Sequence, residues 1–486
     1  MTSTSDIVQK LWNLCKVLWG GGVTYHQYVN ELTYLLFLKM TEETGTEGQI
    51  PEIYRWKQLL AKTGTDQLTF YKKMLIDLGT QGTPNSPTTQ GSSLVQAIYT
   101  NASSVITKPA TLSSLVTSIN ELDWYSAREE GLGDLYEGLL EKNATESKRG
   151  AGQYFTPRPL IESMVELMRP KAGEIVQDPA AGTGGFLINA DRYIKAATDN
   201  LYTLKTDAQT FQKRQAFQGV ELVQDVHRLC LMNMMLHGIE GPVVCEDTLG
   251  PAGSRLPKAD VVLTNPPFGS QNTGTGHRED FTYPTNNRQL AFLQHIYRAL
   301  KPGGRAAVVL PDNVLFEDNT GRSIRADLMN KCDLHTVLRL PTGIFYAQGV
   351  KTNVLFFRRG TTDTGNTKTV WFYDLRSNMP SFGKRTPLTR EHFADFETAY
   401  GADPNGQSPR KDTGEAGRFR CFMREDITKR NDNLDITWLR DENAANSDDL
   451  PEPDVLAAQI MEKLGDAMRE MEELTRLLEN GEAADE

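Results

Sequence analysis

Glu174-Ile175-Val176-Gln177-Asp178-Pro179-Ala180-Ala181-Gly182-Thr183-Gly184-Gly185-Phe186 is the stretch that decides the fold. A short apolar run reads as a buried strand, and an acid ends it. The glycines that follow let backbone approach a ligand closely where a helix opens. They equally suit a plain turn or helix cap. The loop is not Gly-x-Gly-x-x-Gly and no lysine follows it, which disfavours a nicotinamide site or a phosphate-cradling loop. An acid before Gly-x-Gly suits a cationic ligand better than a pyrophosphate. S-adenosylmethionine, with its ammonium and sulfonium, is such a ligand.

From about residue 150, short apolar runs alternate with helical patterns. Strands are predicted at 174–178, 216–221, 242–245, 260–264, 305–311, 333–340, 350–357 and 369–374. The clearest helix, 290–300, is closed by Lys301-Pro302-Gly303-Gly304. This alternation predicts an α/β fold with a doubly wound, mostly parallel, Rossmann-like sheet. Residues 350–374 lack an intervening helix, so an antiparallel hairpin at one edge is expected there.

Glu221 ends the second strand, where a carboxylate can hold both ribose hydroxyls. Its distance from Asp178 is unusually long, so the connecting segment 191–214 is expected to be extended. Asp247 follows the third strand and is placed to accept from the adenine amino group of the cofactor. The fourth strand runs into Asn265-Pro266-Pro267-Phe268. Neither proline can donate a backbone hydrogen. The Asn265 side-chain oxygen and the Pro266 carbonyl could accept from one exocyclic amine, and Phe268 could stack on a base. The same residues also make a stiff turn. All four clusters fall at carboxyl ends of successive strands, where open α/β sheets bind ligands. Four in order weigh against four unrelated caps. Upstream, Gln153-Tyr154-Phe155-Thr156-Pro157-Arg158 opens a helix, and its aromatic residues could flank the cofactor.

Residues 1–145 read as a helical domain with no catalytic group. Apolar faces recur at Ile7, Leu11, Leu14 and Leu18, then at Val29, Leu32, Leu36 and Met40, and 79–93 is a polar loop. Residues 146–440 carry the sheet. Within them, 269–289 reads as a mobile loop over the site or as a plain insertion, and 401–417 is expected to be mobile. Residues 441–486 form an acidic tail with a helix at about 455–478.

At 39% hydrophobic and 24% charged residues, the composition is that of a soluble globular protein. The densest apolar run, Tyr34-Leu35-Leu36-Phe37-Leu38, is too short to span a bilayer, and Met1-Thr2-Ser3-Thr4-Ser5-Asp6 lacks a basic leader. A cytoplasmic protein without membrane contact is expected. The five cysteines are scattered and never in a C-x-x-C pair, so free thiols are expected, with no metal. His237 and His295 read as helix residues and not as ligands. The net charge of −11 is uneven. Residues 441–486 hold 15 acidic and 3 basic residues, the other 440 hold 48 and 49. The bulk of the chain is therefore near neutral, and a partner is expected to neutralise phosphates if the substrate is DNA.

Gln153-Tyr154-Phe155-Thr156-Pro157, then the Asp178–Phe186 loop, then Gly219-Val220-Glu221-Leu222, then Asn265-Pro266-Pro267-Phe268 resemble amino-group DNA methyltransferases of the gamma arrangement. More closely, the chain resembles the modification (M) subunit of type I restriction–modification systems. Leu340-Pro341-Thr342-Gly343-Ile344-Phe345 and Val350-Lys351-Thr352-Asn353-Val354-Leu355-Phe356-Phe357 are similar to that family's late segment, and Tyr34–Lys39 to its helical domain. The resemblance covers roughly residues 1–380. It implies methyl transfer from S-adenosylmethionine to N6 of a flipped adenine in double-stranded DNA, without a metal. It also implies a specificity (S) subunit that reads the target, a second M subunit and a restriction subunit. A methyltransferase for cytosine N4 or protein glutamine shares the core, and an inactive scaffold is the alternative from another class. Intact Asp178, Glu221 and Asn265 argue against the scaffold.

Ile460, Leu464, Ala467, Met471, Leu474 and Leu478 recur at alternating spacings of four and three, a heptad seam. A helix this short needs another surface. A helix of the specificity subunit is the favoured one, its own helical domain the other. Deleting 450–486 is therefore expected to leave cofactor binding intact while weakening co-purification with that subunit and lowering DNA methylation. Normal assembly and methylation by the truncated chain would make the seam intramolecular or idle.

Overall fold

The computed structural model describes residues 4–19, 25–80, 94–124, 132–146, 156–269, 278–345, 350–380, 382 and 386–439. The acidic tail, Gln153, Tyr154 and Phe155, and residues 270–277 of the loop after Phe268 lie outside them.

The first part of the chain is helical: α1 (Thr4–Trp19), α2 (Tyr25–Thr44), α3 (Trp56–Leu60), α4 (Gly64–Gly79), α5 (Leu94–Tyr99), α6 (Pro109–Asn120) and α7 (Leu132–Glu146). Helix α2 shows an apolar face in sequence, yet Tyr28 to Thr41 are buried all round. Its charged residues are paired. The Glu31 carboxylate accepts from Tyr71 Oη (2.6 Å), Ser104 Oγ (2.8 Å) and the Val105 N–H (2.9 Å). Lys39 meets Glu42 at 2.6 Å and Glu43 at 2.7 Å. Such pairing is what makes burial of charge tolerable.

The sheet begins after α8 (Arg158–Met168). Its first half runs β1 (Val176–Asp178), α9 (Gly185–Ala197), α10 (Thr206–Arg214), β2 (Phe217–Glu221), α11 (Gln224–Leu236), β3 (Val243–Cys245), α12 (Pro251–Arg255) and β4 (Ala259–Thr264). The second half runs α13 (Arg288–Ala299), β5 (Leu300–Pro311), α14 (Asn313–Phe316), α15 (Thr320–Lys331), β6 (Cys332–Arg339), β7 (Thr352–Arg359), β8 (Thr369–Asp374), α16 (Ala394–Tyr400), β9 (Phe419–Met423) and α17 (Arg424–Lys429). The strand order is β3-β2-β1-β4-β5-β7-β6-β8-β9. Strands β3, β2, β1, β4 and β5 are parallel, as are β6 and β8. This is the mostly parallel, doubly wound sheet that the alternation of elements implied.

Four expectations need correction. Residues 350–374 form no edge hairpin. Strand β7 inserts antiparallel between β5 and β6, and β8 pairs with β6 in parallel. The first six residues of β7 are buried and both its edges are bonded, so β8 finds an open edge only on β6. Segment 191–214 is not extended, because its added length folds as α10. Residues 401–417 are pinned. Arg410 donates to Thr336 Oγ1 (2.9 Å) and the Tyr400 carbonyl (3.1 Å), and its guanidinium lies 4.7 Å from the Tyr400 ring centroid. Strand β5 starts at Leu300, earlier than expected, with a register shift opposite Ala259–Val261.

Helix α11 joins the helices to the sheet, and Val226 to Met234 are buried on every face. From it the Arg228 guanidinium, 1% exposed, reaches into the helical region. It donates to the Ile98 carbonyl (2.6 Å) and the Thr100 carbonyl (2.9 Å), satisfying the end of α5, and lies over the Tyr34 ring. Its Asp225 partner is 41% exposed. Arg228→Leu leaves two buried carbonyls without donors and is expected to cost about 3 kcal/mol. Asp225→Asn is expected to cost less than about 1 kcal/mol, as exposed pairs do. Urea unfolding of the full chain measures both.

Candidate active site

The chain lays β1, β2 and β3 down on one side, then returns so that β4 pairs with the free edge of β1. Asp178 and Asn265 thus follow neighbouring parallel strands at the point where strand order reverses. The loops leaving such a pair diverge and open a crevice. Here the crevice is a cavity whose lining includes Asp178, Ala180, Gly182, Thr183, Gly185, Thr156, Arg158 and Asn265.

Asp178 is 1% exposed and accepts from the Ala180 N–H at 3.0 Å. Burial pushes its carboxyl up to about 7, and nearby Glu221 adds to the rise. The loop beyond it needs glycine at two positions. Gly182 and Gly184 have φ of +54° and +84°, and a Cβ on Gly184 would lie 3.1 Å from the Cys230 Sγ. Gly184 caps α9, with its carbonyl accepting from the Ile188 N–H at 3.0 Å.

Glu221 is not among the residues that line the cavity. Its carboxylate accepts from the Gly182 N–H (2.9 Å) and the Val223 N–H (2.8 Å), so it fastens the glycine loop to the end of β2. Burial raises its pKa, and these N–H groups oppose the rise. Asp247 also lies off the cavity lining and accepts from the Leu249 N–H at 2.9 Å. The next residue, Thr248, donates through its hydroxyl to the Pro179 carbonyl, which binds this turn to the glycine loop.

At the end of β4, Asn265 Nδ2 donates to Thr156 Oγ1 at 3.0 Å. Its Oδ1 is buried and has no hydrogen-bond partner among the described residues. Pro266 is buried, and no described residue donates to its carbonyl. An amide oxygen and a carbonyl are therefore available to a donor. Pro267 and Phe268 are half-buried. Phe268 meets Phe345 edge to face, with centroids 6.3 Å apart and planes at 74°. Thr156 and Arg158 reach the cavity from the start of α8, behind Pro157 at its N-cap.

Several participants escaped the sequence reading. Phe345 sits in the late Leu-Pro-Thr-Gly-Ile-Phe segment, whose likeness to the family was the only signal. Arg278 ends the loop after Phe268. It is buried, donates to the Thr248 carbonyl (3.0 Å), pairs with Asp280 (2.6 Å) and meets His295 Nδ1 at 2.8 Å. Burial lowers His295 to about 3, so its ring is neutral. The loop closes where the Gly269 carbonyl accepts from the Arg288 N–H (3.2 Å). Glu137 and Leu140 line the cavity from α7, in the region assigned no chemistry. Asp134, Glu137 and His237 bring ligand-type atoms within 4.8 Å of one another. The Arg192 guanidinium already fills that space, 2.9 Å from Glu137 and 2.8 Å from His237 Nε2.

Residues 127–448 match the family model of the N-6 DNA methylases, and residues 7–119 match that of the HsdM N-terminal domain. The chain belongs to the N-6 DNA methylase family. It is 51% identical to the type I restriction enzyme StySPI methylase subunit of Salmonella potsdam, over 99% of this chain and 97% of that one. The crystal structure of the type I restriction enzyme EcoKI M protein matches at a TM-score of 0.59 and 48% identity, covering 97% of this chain and 96% of that one. A structure from work on type I restriction–modification complex assembly matches at a TM-score of 0.73 and 29% identity, over 99% of both chains. The protein is a DNA methyltransferase, a methylase subunit of the type I restriction kind. The N-6 DNA methylase model begins before α7, so the helix that brings Glu137 to the cavity lies within it.

In this methylase subunit Asp178 is held at a cost. A carboxyl raised from about 3.9 when unfolded to about 7 when folded destabilises the native state at high pH. That penalty is absent below about pH 4, grows between the two values, and is complete above 7. Asp178→Asn is therefore expected to raise the melting temperature, more at pH 8 than at pH 6. Equal gains at both values would mean that Asp178 titrates normally.

Proposed function

We propose that the chain transfers the methyl group of S-adenosylmethionine to N6 of an adenine flipped out of double-stranded DNA. It would do so as the modification subunit of a type I complex whose specificity subunit reads the sequence. The observation that carries this reading is the buried Asn265 Oδ1 beside the Pro266 carbonyl, neither with a donor among the described residues, one strand away from Asp178 and the glycine loop.

The residues fit that cofactor. Asp178 is an acid in the cavity whose ionised form a bound cation would favour. The Gly182–Gly185 loop and Ala180 leave room for close approach, and Glu221 at the end of β2 would accept from the ribose hydroxyls. Asp247 lies beyond the third strand for the adenine amine, and Thr156 and Arg158, which follow Gln153-Tyr154-Phe155 in the sequence, line the cavity. When bound, the cofactor supplies a methyl group on a sulfonium that leaves as a neutral thioether. Asn265 and the Pro266 carbonyl accept the two N6 hydrogens. That draws the nitrogen lone pair out of ring conjugation and aims it at the methyl. Thr156 fixes the Asn265 amide through its Nδ2, so the oxygen is oriented before the base arrives. Phe268 stacks on the base, a contact worth about 1–3 kcal/mol. As N6 takes the methyl it releases one proton to water. No enzyme nucleophile is required. Cys230, the thiol nearest the loop, is buried and held protonated.

In this reading residues 146–440 carry the transfer, 1–145 frame it, and 441–486 hold the specificity subunit. A second modification subunit and a restriction subunit complete the assembly, in the cytoplasm. No described helix is long and apolar enough to cross a membrane. No metal takes part in the transfer as proposed.

Two substitutions separate the two ligands. Asn265→Ala is expected to abolish methylation and leave S-adenosylmethionine affinity within about twofold, since it loses only the base acceptor. Glu221→Ala is expected to weaken cofactor binding in calorimetric titration. DNA from cells carrying the complete system should contain N6-methyladenine, and N4-methylcytosine in its place would sink the adenine assignment.

A further inference from the structure

Helix α7 places a charged network beside the cavity. Arg158 lies 3.2 Å from Glu162, 3.5 Å from Asp134 and 3.7 Å from Glu137. Arg192 pairs with Asp134 and lies 2.9 Å from Glu137. Burial holds His237 neutral. Of these groups only Glu137 and Arg158 line the cavity. Glu137 is 12% exposed, and its Oε2 is buried without a hydrogen bond, since Arg192 is near but misaligned. One acid and one base, 3.7 Å apart and both turned to the cavity, match the two ends of an α-amino-acid zwitterion.

We propose that Glu137 receives the α-ammonium of the cofactor's methionine moiety while Arg158 takes its α-carboxylate, so that α7 closes the amino-acid end of the site. This rests on the S-adenosylmethionine reading above. It makes α7 part of the cofactor site, and it ties cofactor occupancy to the helical region packed on that helix. Helix α7 lies against α1, α2 and α11, so a ligand held by Glu137 fixes all three relative to the glycine loop.

The test compares S-adenosylhomocysteine, which keeps the amino-acid end, with methylthioadenosine, which lacks it, by calorimetric titration of the full chain. Glu137→Gln is expected to weaken S-adenosylhomocysteine binding about tenfold or more while leaving methylthioadenosine unchanged. Glu137→Asp keeps the charge and is expected to lose less. Unchanged binding of S-adenosylhomocysteine by Glu137→Gln overturns the proposal. So does equal weakening of both ligands, which would mark Glu137 as a structural residue. A wild-type chain that binds neither S-adenosylmethionine nor S-adenosylhomocysteine overturns the cofactor reading itself, and this inference with it.

Discussion

The constraint on which this molecule turns is the position of β1. Both its edges are bonded to parallel strands, and all three of its residues are buried. The chain leaving β1 climbs toward β2, and the chain leaving β4 departs on the other side. Backbone cannot fill the space between them without leaving its own polar groups unpaired. A cavity at the carboxyl ends of β1 and β4 is the result, and the residues ending those strands inherit it. Asp178 and Asn265 are therefore neighbours by topology, 87 residues apart in sequence.

That geometry keeps polar groups in an unfavourable state. Among the described residues, Asp178 is buried without a cationic side chain bonded to it, and Asn265 Oδ1 is buried without a donor. In a protein selected for stability alone, such groups would be replaced or satisfied. Their partners here are backbone N–H groups and the Thr156 hydroxyl, which orient them without quenching them. Glu221 works differently. Its carboxylate accepts from the Gly182 and Val223 N–H groups, so it shapes the loop by tying it to the end of β2.

The helical region is joined to the same centre through two helices. Helix α11 begins just after Glu221 and carries Arg228 into the end of α5. Helix α7 packs on α11 and brings Glu137 to the cavity. Burying a guanidinium at this junction is expensive unless its nitrogens find acceptors, and each of the three Arg228 nitrogens has one, in Ile98, Thr100 and Asp225. A junction built this way resists slippage, because any shift would strand a buried charge.

The sequence alone determined the strand-end motifs, because turn chemistry is local. An acid before Gly-x-Gly, a Glu ending an apolar run and an Asn followed by two prolines keep their meaning wherever the strands pair. It likewise determined the α/β class, since periods of two and of 3.6 are read within one element. Tertiary structure decided what depends on partners. The insertion of β7 between β5 and β6 follows from which edges remain unbonded, a quantity no local window contains. The pinning of 401–417 comes from Arg410 reaching Thr336, across 74 residues. Glu137 looked like one more polar residue on a helix, and only the packing of α7 against α11 turned it toward the cavity. Side-chain chemistry was legible from residue types, while its placement depended on which buried surfaces met.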